Sequence, residues 1–480
     1  MRGFMNPFRY INEMMRPLEG DIAEQKRRTK QLSIWEGSMW SLMWGLAESY
    51  IVPFALFIGA GNAMAAFLGT GTGPILITAT AQLVGAKLLD QYGRRKSFMI
   101  FGTAVQGLAL IPLFLLPMLL PGGGMTALVA CAVVYYISFG IAVPPWMSLM
   151  GDVVEPEERG RYFSNRTRIT MYSMIVAFLL AGIITSAWKG IGHTATGFGF
   201  IFGIAALARL TCILFVQRHY EAPMEKPTKD SALSFWAFIR NKKNANYARF
   251  TLSVALMNGT VNICSPFFAV YMLRDLGWSY LLFTLNMMTF LLSQTLFVRW
   301  WGNISDRHGN RAVLVATGSL LPLLPLLWIY STSYGALLFA QFVSGATWSG
   351  FNLAASNFIY DSVPQAGRAR AMSYYSVVNG TMSVIGGVLV GAWLADHIPT
   401  QFQLGMVNLN LASALPVVFV ISSVARGIVA AIMLPMFNEV RDVEPISTPQ
   451  ILWRLGIGQP LFGQVGEFMP RLRNLLPPKK

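Results

Sequence analysis

Asp90-Gln91-Tyr92-Gly93-Arg94-Arg95 and Asp306-Arg307-His308-Gly309-Asn310-Arg311 lie 216 residues apart, share the pattern Asp-x-x-Gly-x-Arg, and each close a long apolar segment. A second pair has nearly the same offset. Asp152-Val153-Val154-Glu155-Pro156 with Arg159 and Arg161 returns 209 residues later as Asp361-Ser362-Val363-Pro364 with Arg368 and Arg370. Fainter echoes agree: Pro53-Phe54 matches Pro266-Phe267 at 213, and Arg209 matches Arg426 at 217. Two unrelated patterns at one spacing mark a duplicated chain.

Outward from these loops the composition sets the solvent. Hydrophobic residues make up 54% of the 480 positions and charged residues 12%, too little polar surface to coat a soluble domain of this size. Twelve apolar stretches have the length of helices crossing a hydrocarbon core about 30 Å thick. Lipid cannot satisfy backbone donors and the period of two that a barrel needs is missing, so helices are required. The expected fold is an all-α polytopic membrane protein with twelve transmembrane helices in two six-helix pseudo-repeats. Its expected divisions are a cytoplasmic N-terminal segment 1–36, a first half 37–216, a polar linker 217–249, a second half 250–436 and a tail 437–480.

The formal charge of +15 reflects sidedness and not nucleic acid. Of 37 Lys and Arg, Lys189 and Arg274 read as outward and Arg209 and Arg426 as intramembrane, leaving 33 on one side. That bias places both termini and the linker in the cytoplasm of a bacterial inner (plasma) membrane. The run Lys26, Arg27, Arg28 and Lys30 reads as resting on anionic headgroups or as a solvated cluster. Cys131, Cys212 and Cys264 fall inside predicted helices, which gives no disulfide framework or CxxC metal site. The polar first 34 residues read as lacking a cleavable signal peptide. No phosphate loop, nucleophile elbow or metal cluster points to an enzyme or to ATP-driven transport.

The two Asp-x-x-Gly-x-Arg loops resemble the major facilitator superfamily (MFS) of secondary transporters, whose loop between helices 2 and 3, repeated between helices 8 and 9, reads Gly-x-x-x-Asp-Arg-x-Gly-Arg/Lys-Arg/Lys. The second copy here is nearly complete in Gly302, Asp306, Arg307, Gly309 and Arg311. The first departs from it, with Ala86 at the first glycine and Gln91 at the arginine. The resemblance implies an MFS fold over residues 37 to about 436, alternating access, symport or antiport, and a small-molecule substrate for a monomer in a lipid bilayer. It also implies a cytoplasmic latch, whose gate residues would be Asp90, Gly93, Arg94, Arg95, Asp152, Arg159, Arg161, Asp306, Arg307, Gly309, Arg311, Asp361, Arg368 and Arg370. The same residues could instead only shape the loops, the glycines permitting tight turns and the aspartates facing a neighbouring helix N-terminus.

In the resembled family helices 1, 4, 7 and 10 line the pathway, and on them lie the least expected polar residues. Trp40, Trp44 and Glu48 recur at i, i+4 on the first, Asn258 and Asn262 on the seventh, and Gln341, Trp348 and Asn352 with Ser344 on the tenth. Tyr135, Tyr136 and a Pro144-Pro145-Trp146 break, expected to kink the helix, belong to the fourth. A carboxyl group at membrane depth is by default a functional feature, able to load and release a proton; alternatively Glu48 joins helices as a neutral acid. Amides and indoles can grip a solute or tie helix to helix. No cofactor is expected beyond a proton gradient as driving force, and no second cation balances Glu48 on those helices, which favours a neutral or cationic solute. The drug-antiporter Gly-Pro signature is missing between Thr170 and Trp188. The rival expectations are an MFS-like scaffold or assembly factor that no longer transports, and an amphipath or lipid flippase.

Overall fold

The computed structural model describes residues 21–120, 124–155, 158–221, 244–363, 365–404 and 407–456. The chain is overwhelmingly helical. Its strands among the described residues are β1 (Gln401–Leu404) and β2 (Val407–Asn410), an antiparallel hairpin pairing Gln401 with Asn410. Among the described residues, ten helical stretches are long and apolar enough to cross a membrane. Two long helices fall outside those ten, α1 (Ile22–Leu46) and α14 (Tyr334–Ser362). They carry Glu36, Gln341, Trp348 and Asn352, the polar groups that lower their hydropathy.

Between them run α2 (Ile51–Phe57), α3 (Asn62–Leu68), α4 (Gly73–Tyr92), α5 (Arg95–Leu119), α6 (Gly124–Val153), α7 (Arg159–Gly190), α8 (Thr194–Val216), α9 (Ala245–Asn262), α10 (Phe267–Val270), α11 (Tyr280–His308), α12 (Asn310–Leu320) and α13 (Leu324–Tyr330). After α14 come α15 (Gln365–Val384), a π-helical turn Ile385–Gly391, α16 (Ala392–His397), the hairpin, α17 (Leu415–Met433) and α18 (Thr448–Gly456). The two patterned loops are minimal links between helices. Gly93 (φ +65°) separates α4 from α5 and Gly309 (φ +90°) separates α11 from α12, backbone angles that favour glycine.

The chain forms two compact units that cross the sequence halves: Ser265–Leu285 and Gly387–Trp393 join the first unit, whose other described residues lie within 21–221. Two of the four crossover points coincide with irregular backbone, at the break after α9 and in the π-helical turn, while the other two lie within α11 and α16. In the first unit, rings on α2, α7, α8 and the 280–285 stretch interlock. Phe54 lies 5.3 Å from Phe198 and 5.5 Å from Phe202, and Tyr50 lies 5.8 Å from Phe178 and 6.4 Å from Phe283. Such pairs add about 0.5–1.5 kcal/mol each beyond area burial. In the second unit Phe250 stacks on Phe358 at 4.3 Å, and fully buried Trp301 donates its indole N–H to the Ala346 carbonyl at 2.8 Å. The amphipathic α18 docks Ile451 into that core and leaves Trp453 exposed, so this helix packs on protein through one face.

Candidate functional site

The first membrane helix is broken at the acidic residue. α1 begins at Ile22, fifteen residues before the expected span, and ends at Leu46; Glu48–Tyr50 form a 3-10 turn and the helix resumes at Ile51. Two local features explain the break. Pro53 has no N–H to bond the carbonyl four residues back, and the Ser49 hydroxyl donates to the Trp44 carbonyl at 3.3 Å. Irregular backbone at this depth is tolerated only inside protein or beside a cavity. The Tyr135 hydroxyl donates to Glu48 Oε2 at 2.8 Å and also lies 2.9 Å from Met43 Sδ, with the Trp44 indole turned to the same carboxyl group. Tyr136 meets Tyr135 edge-to-face at 5.0 Å, and its buried hydroxyl has no partner among the described residues. α6, which presents both tyrosines, runs unbroken through Pro144 and Pro145, so the expected break is absent. Glu48, Trp44, Tyr135 and Tyr136 thus form one cluster in the first unit, an acid held by two donors within aromatic walls. Such a group can exchange a proton or attract a cation.

The amides of the second unit bond helix to helix. Asn258 donates to Asn379 Oδ1 at 2.6 Å, and Asn262 donates to Ser383 Oγ at 3.1 Å and to the Asn258 carbonyl at 2.8 Å. These bonds join α9 to α15, and just beyond α15, in the π-helical turn, Gly386 meets Gly259 so that the backbones touch. On α14 the Gln341 amide lies 3.7 Å from Met287 Sδ, Trp348 meets Phe351 edge-on within the core, and Asn352 is exposed. The tenth-helix stripe is therefore shared between core and surface.

Of the residues expected at the cytoplasmic latch, Asp90, Arg94 and Asp306 are exposed, the aspartates in the last turns of α4 and α11 and Arg94 at the N-cap of α5. Side chains there point back along that helix, so the aspartates do not reach the helix beyond the turn. That position is taken by acids the sequence reading missed. Glu221, after α8, accepts from the Lys96 N–H at 3.2 Å, and Glu439, after α17, accepts from the Arg311 N–H at 2.7 Å, each at the first turn of the following helix where the macrodipole favours negative charge. Their equivalent places after the last helix of each half were the signal available in the sequence. Arg95 pairs with Asp152 at 2.7 Å, whereas Asp361 takes Asn310 at 2.7 Å and Arg441 at 3.2 Å. Arg159 donates to the Val154 and Gly151 carbonyls at the end of α6, Arg307 pairs with Glu444 at 3.0 Å, and the Arg311 side chain donates to the Phe437 carbonyl. Arg161 is exposed, and the Arg368 and Arg370 side chains lie outside the described residues.

A buried ion cluster is the other feature missed. Glu36, 7% exposed on α1, faces Arg166 at 3.3 Å and Arg209 at 3.8 Å. Arg166 also lies 4.5 Å over the Trp146 ring and fills the space beside Gly37, where a Cβ would come within 2.5 Å of its guanidinium. Arg426 instead donates to the Leu321 and Val261 carbonyls and to Ser422 Oγ. The same sequence position in the two halves thus serves an ion pair in one and a helix end in the other.

Polar clusters held at membrane depth by broken helices, within a duplicated helical protein, define a polytopic membrane transporter class. The chain belongs to the Major Facilitator Superfamily, whose sequence profile matches residues 33–263 and 250–463. It is 28% identical over 168 residues to the efflux pump azaK of Aspergillus niger, a match covering 34% of this chain and 33% of that protein; the chain thus spans about a third of the length of that curated relative. Its fold resembles a variant of the nucleoside transporter NupG (TM-score 0.65, 16% identity, 85% of this chain and 100% of that one). It also resembles a POT family transporter in complex with 5-aminolevulinic acid (TM-score 0.63, 13% identity, 88% and 98%). A bacterial homologue of the human lysosomal transporter Spinster, inward-facing and unoccupied, gives a TM-score of 0.62 at 13% identity, over 87% of this chain and 97% of that one. The family is one of membrane transporters, not of enzymes.

Proposed function

We propose that this protein is a secondary active transporter for a small organic solute, neutral or cationic, working by alternating access with Glu48 as its binding or proton-coupling group. The observation that carries the reading is the helix break at Glu48, which sets a carboxyl group among Trp44, Tyr135 and Tyr136 at membrane depth. α1 with α2, and α14, complete twelve spans around the ten apolar ones. Both termini face the cytoplasm of a bacterial inner membrane, and the charge sets around Asp152 and Asp361 serve as gates. A relative named as an efflux pump and structural neighbours named for nucleosides and peptides agree with an organic solute. The test is uptake and efflux in proteoliposomes over a panel of metabolites and drugs, with and without a pH gradient, comparing wild type with Glu48→Gln. Gradient-driven flux that falls to background in the variant is expected. Wild-type flux that persists in the variant removes Glu48 from coupling, and absence of flux from folded wild-type protein across the panel overturns the transport reading.

A further inference from the structure

α1 and α7 pack tightly at Gly45, where a Cβ would come within 2.7 Å of the Met174 carbonyl oxygen, and at Gly37 beside Arg166. Toward Ile22 and Arg159 the two helices carry long side chains instead of glycines, and a cleft of about 610 Å³ opens between them. Its wall holds four cations, Arg27, Lys30, Arg161 and Arg168, against one acid, Glu158. Ser164 and Asn165 add neutral hydrogen-bonding groups, while Ile34 and the ring of Tyr162 line the same cleft.

The cations are not equally committed. Lys30 bonds Glu158, Arg27 forks onto Glu24 at 2.7 and 2.8 Å, and Arg168 donates to Asn165 Oδ1 at 3.0 Å. Arg161 makes no ion pair or hydrogen bond among the described residues. It is also the first residue of the apolar stretch Arg161–Gly190, so the cleft opens where the chain enters the bilayer on its positively charged side. A guanidinium pair with flanking hydroxyl and amide groups matches a tetrahedral phosphate, and the apolar residues beside it match the glycerol and first methylenes of a lipid.

We propose that this cleft binds a phosphate group, carried by the headgroup of an anionic phospholipid at the cytoplasmic surface, with Arg161 and Arg168 as its main ligands. The site lies apart from Glu48 and does not depend on the transport reading. A basic pocket between membrane helices can hold one lipid through the phosphate it presents. Glu158 competes for Lys30 and limits the affinity.

The experiment is native mass spectrometry of the full-length protein in detergent, titrated separately with phosphatidylglycerol, phosphatidylcholine and inorganic phosphate. Roughly five-fold in affinity per basic side chain is expected from surface electrostatics. Preference for phosphatidylglycerol over phosphatidylcholine should therefore drop about 30-fold in Arg161→Gln/Arg168→Gln. Lys87→Gln, outside the cleft, should leave it unchanged. Glu158→Gln, which frees Lys30, should raise it, a gain that misfolding does not produce. Equal binding of the two lipids by wild type, or a preference untouched by the double variant, overturns the site. Inorganic phosphate at millimolar concentration displacing the lipid, and binding as tightly alone, overturns the lipid as the source and assigns the cleft to a soluble phosphate.

Discussion

At the residue scale, the buried charges show how one repeat position diverges. Arg209 and Arg426 stand 217 residues apart on equivalent helices. Arg209 meets Glu36, whereas Arg426 donates to the Val261 carbonyl near the break after α9 and to the Leu321 carbonyl in the turn after α12. Sequence spacing revealed the two arginines as a pair because a charge within an apolar stretch is conspicuous. It did not reveal Glu36, which sits at the edge of the predicted span and looks like part of a polar leader until the helix is seen to begin at Ile22. His219 presents a different buried group. It is fully buried after α8, has no partner for either ring nitrogen among the described residues, and its pKa falls to about 3 through burial and the nearby charges of Lys96 and Arg166. The unfolded chain takes up this proton near pH 6.5 and the folded protein does not, so the folded state is at full advantage above that pH and loses it on acidification toward pH 3. The loss is at most about 1.4 kcal/mol per pH unit. Thermal midpoints measured from pH 7.5 to 4.5 should therefore fall less steeply in His219→Leu than in wild type; parallel curves would show that His219 ionises in place.

At the element scale, the contact between α9 and α15 depends on two glycines. A Cβ on Gly386 would stand 1.9 Å from the Gly259 carbonyl oxygen, a distance only backbone movement can relieve. Gly386→Ala is expected to cost about 3 kcal/mol or more, the upper end for overpacking, because separating the helices also lengthens the Asn258–Asn379 and Asn262–Ser383 bonds. Gly335→Ala, with open space around its Cβ, should stay within about 0.5 kcal/mol. Comparing thermal midpoints in the same detergent checks both, and equal midpoints would show that the helices shift freely. The sequence had offered Asn258 and Asn262 as a stripe that could face solute or helix. It left open which, since an i, i+4 spacing names the face of a helix and not its neighbour. The partners Asn379 and Ser383 each lie 121 residues away and repeat the i, i+4 spacing, but that shared spacing does not say that the two faces meet.

For the whole molecule, the repeat, the membrane solvent and the family were legible because each rests on a global regularity: offset, hydropathy and charge bias. Compact units that cross the sequence halves were not legible, since two of the crossings arise at a helix break and a π-helical turn that look apolar like their surroundings and the other two fall within continuous helices. Sidedness leads to a test of topology. Thr332, in the short link between α13 and α14, and Gln91, at the end of α4, are both exposed and should face opposite sides. Thr332→Cys should react with a membrane-impermeant maleimide in intact cells, and Gln91→Cys only after permeabilisation. Labelling of both from one side would contradict the repeat topology.

The same polarity that marks α1 and α14 bears on how the protein is made. A segment carrying Glu36 and Glu48, or one studded with Gln341, Ser344, Thr347 and Asn352, partitions poorly into lipid when it leaves the insertion machinery alone. Only the first has its acids satisfied by helices that are synthesised later, Glu36 by Arg166 and Arg209 and Glu48 by Tyr135, whereas Ser344 and Thr347 bond carbonyls of their own helix and Gln341 lies beside Met287 of an earlier one. The first helix therefore has to wait at the mouth of the insertion channel, or enter the bilayer transiently exposed, until more than a hundred further residues have emerged to receive it.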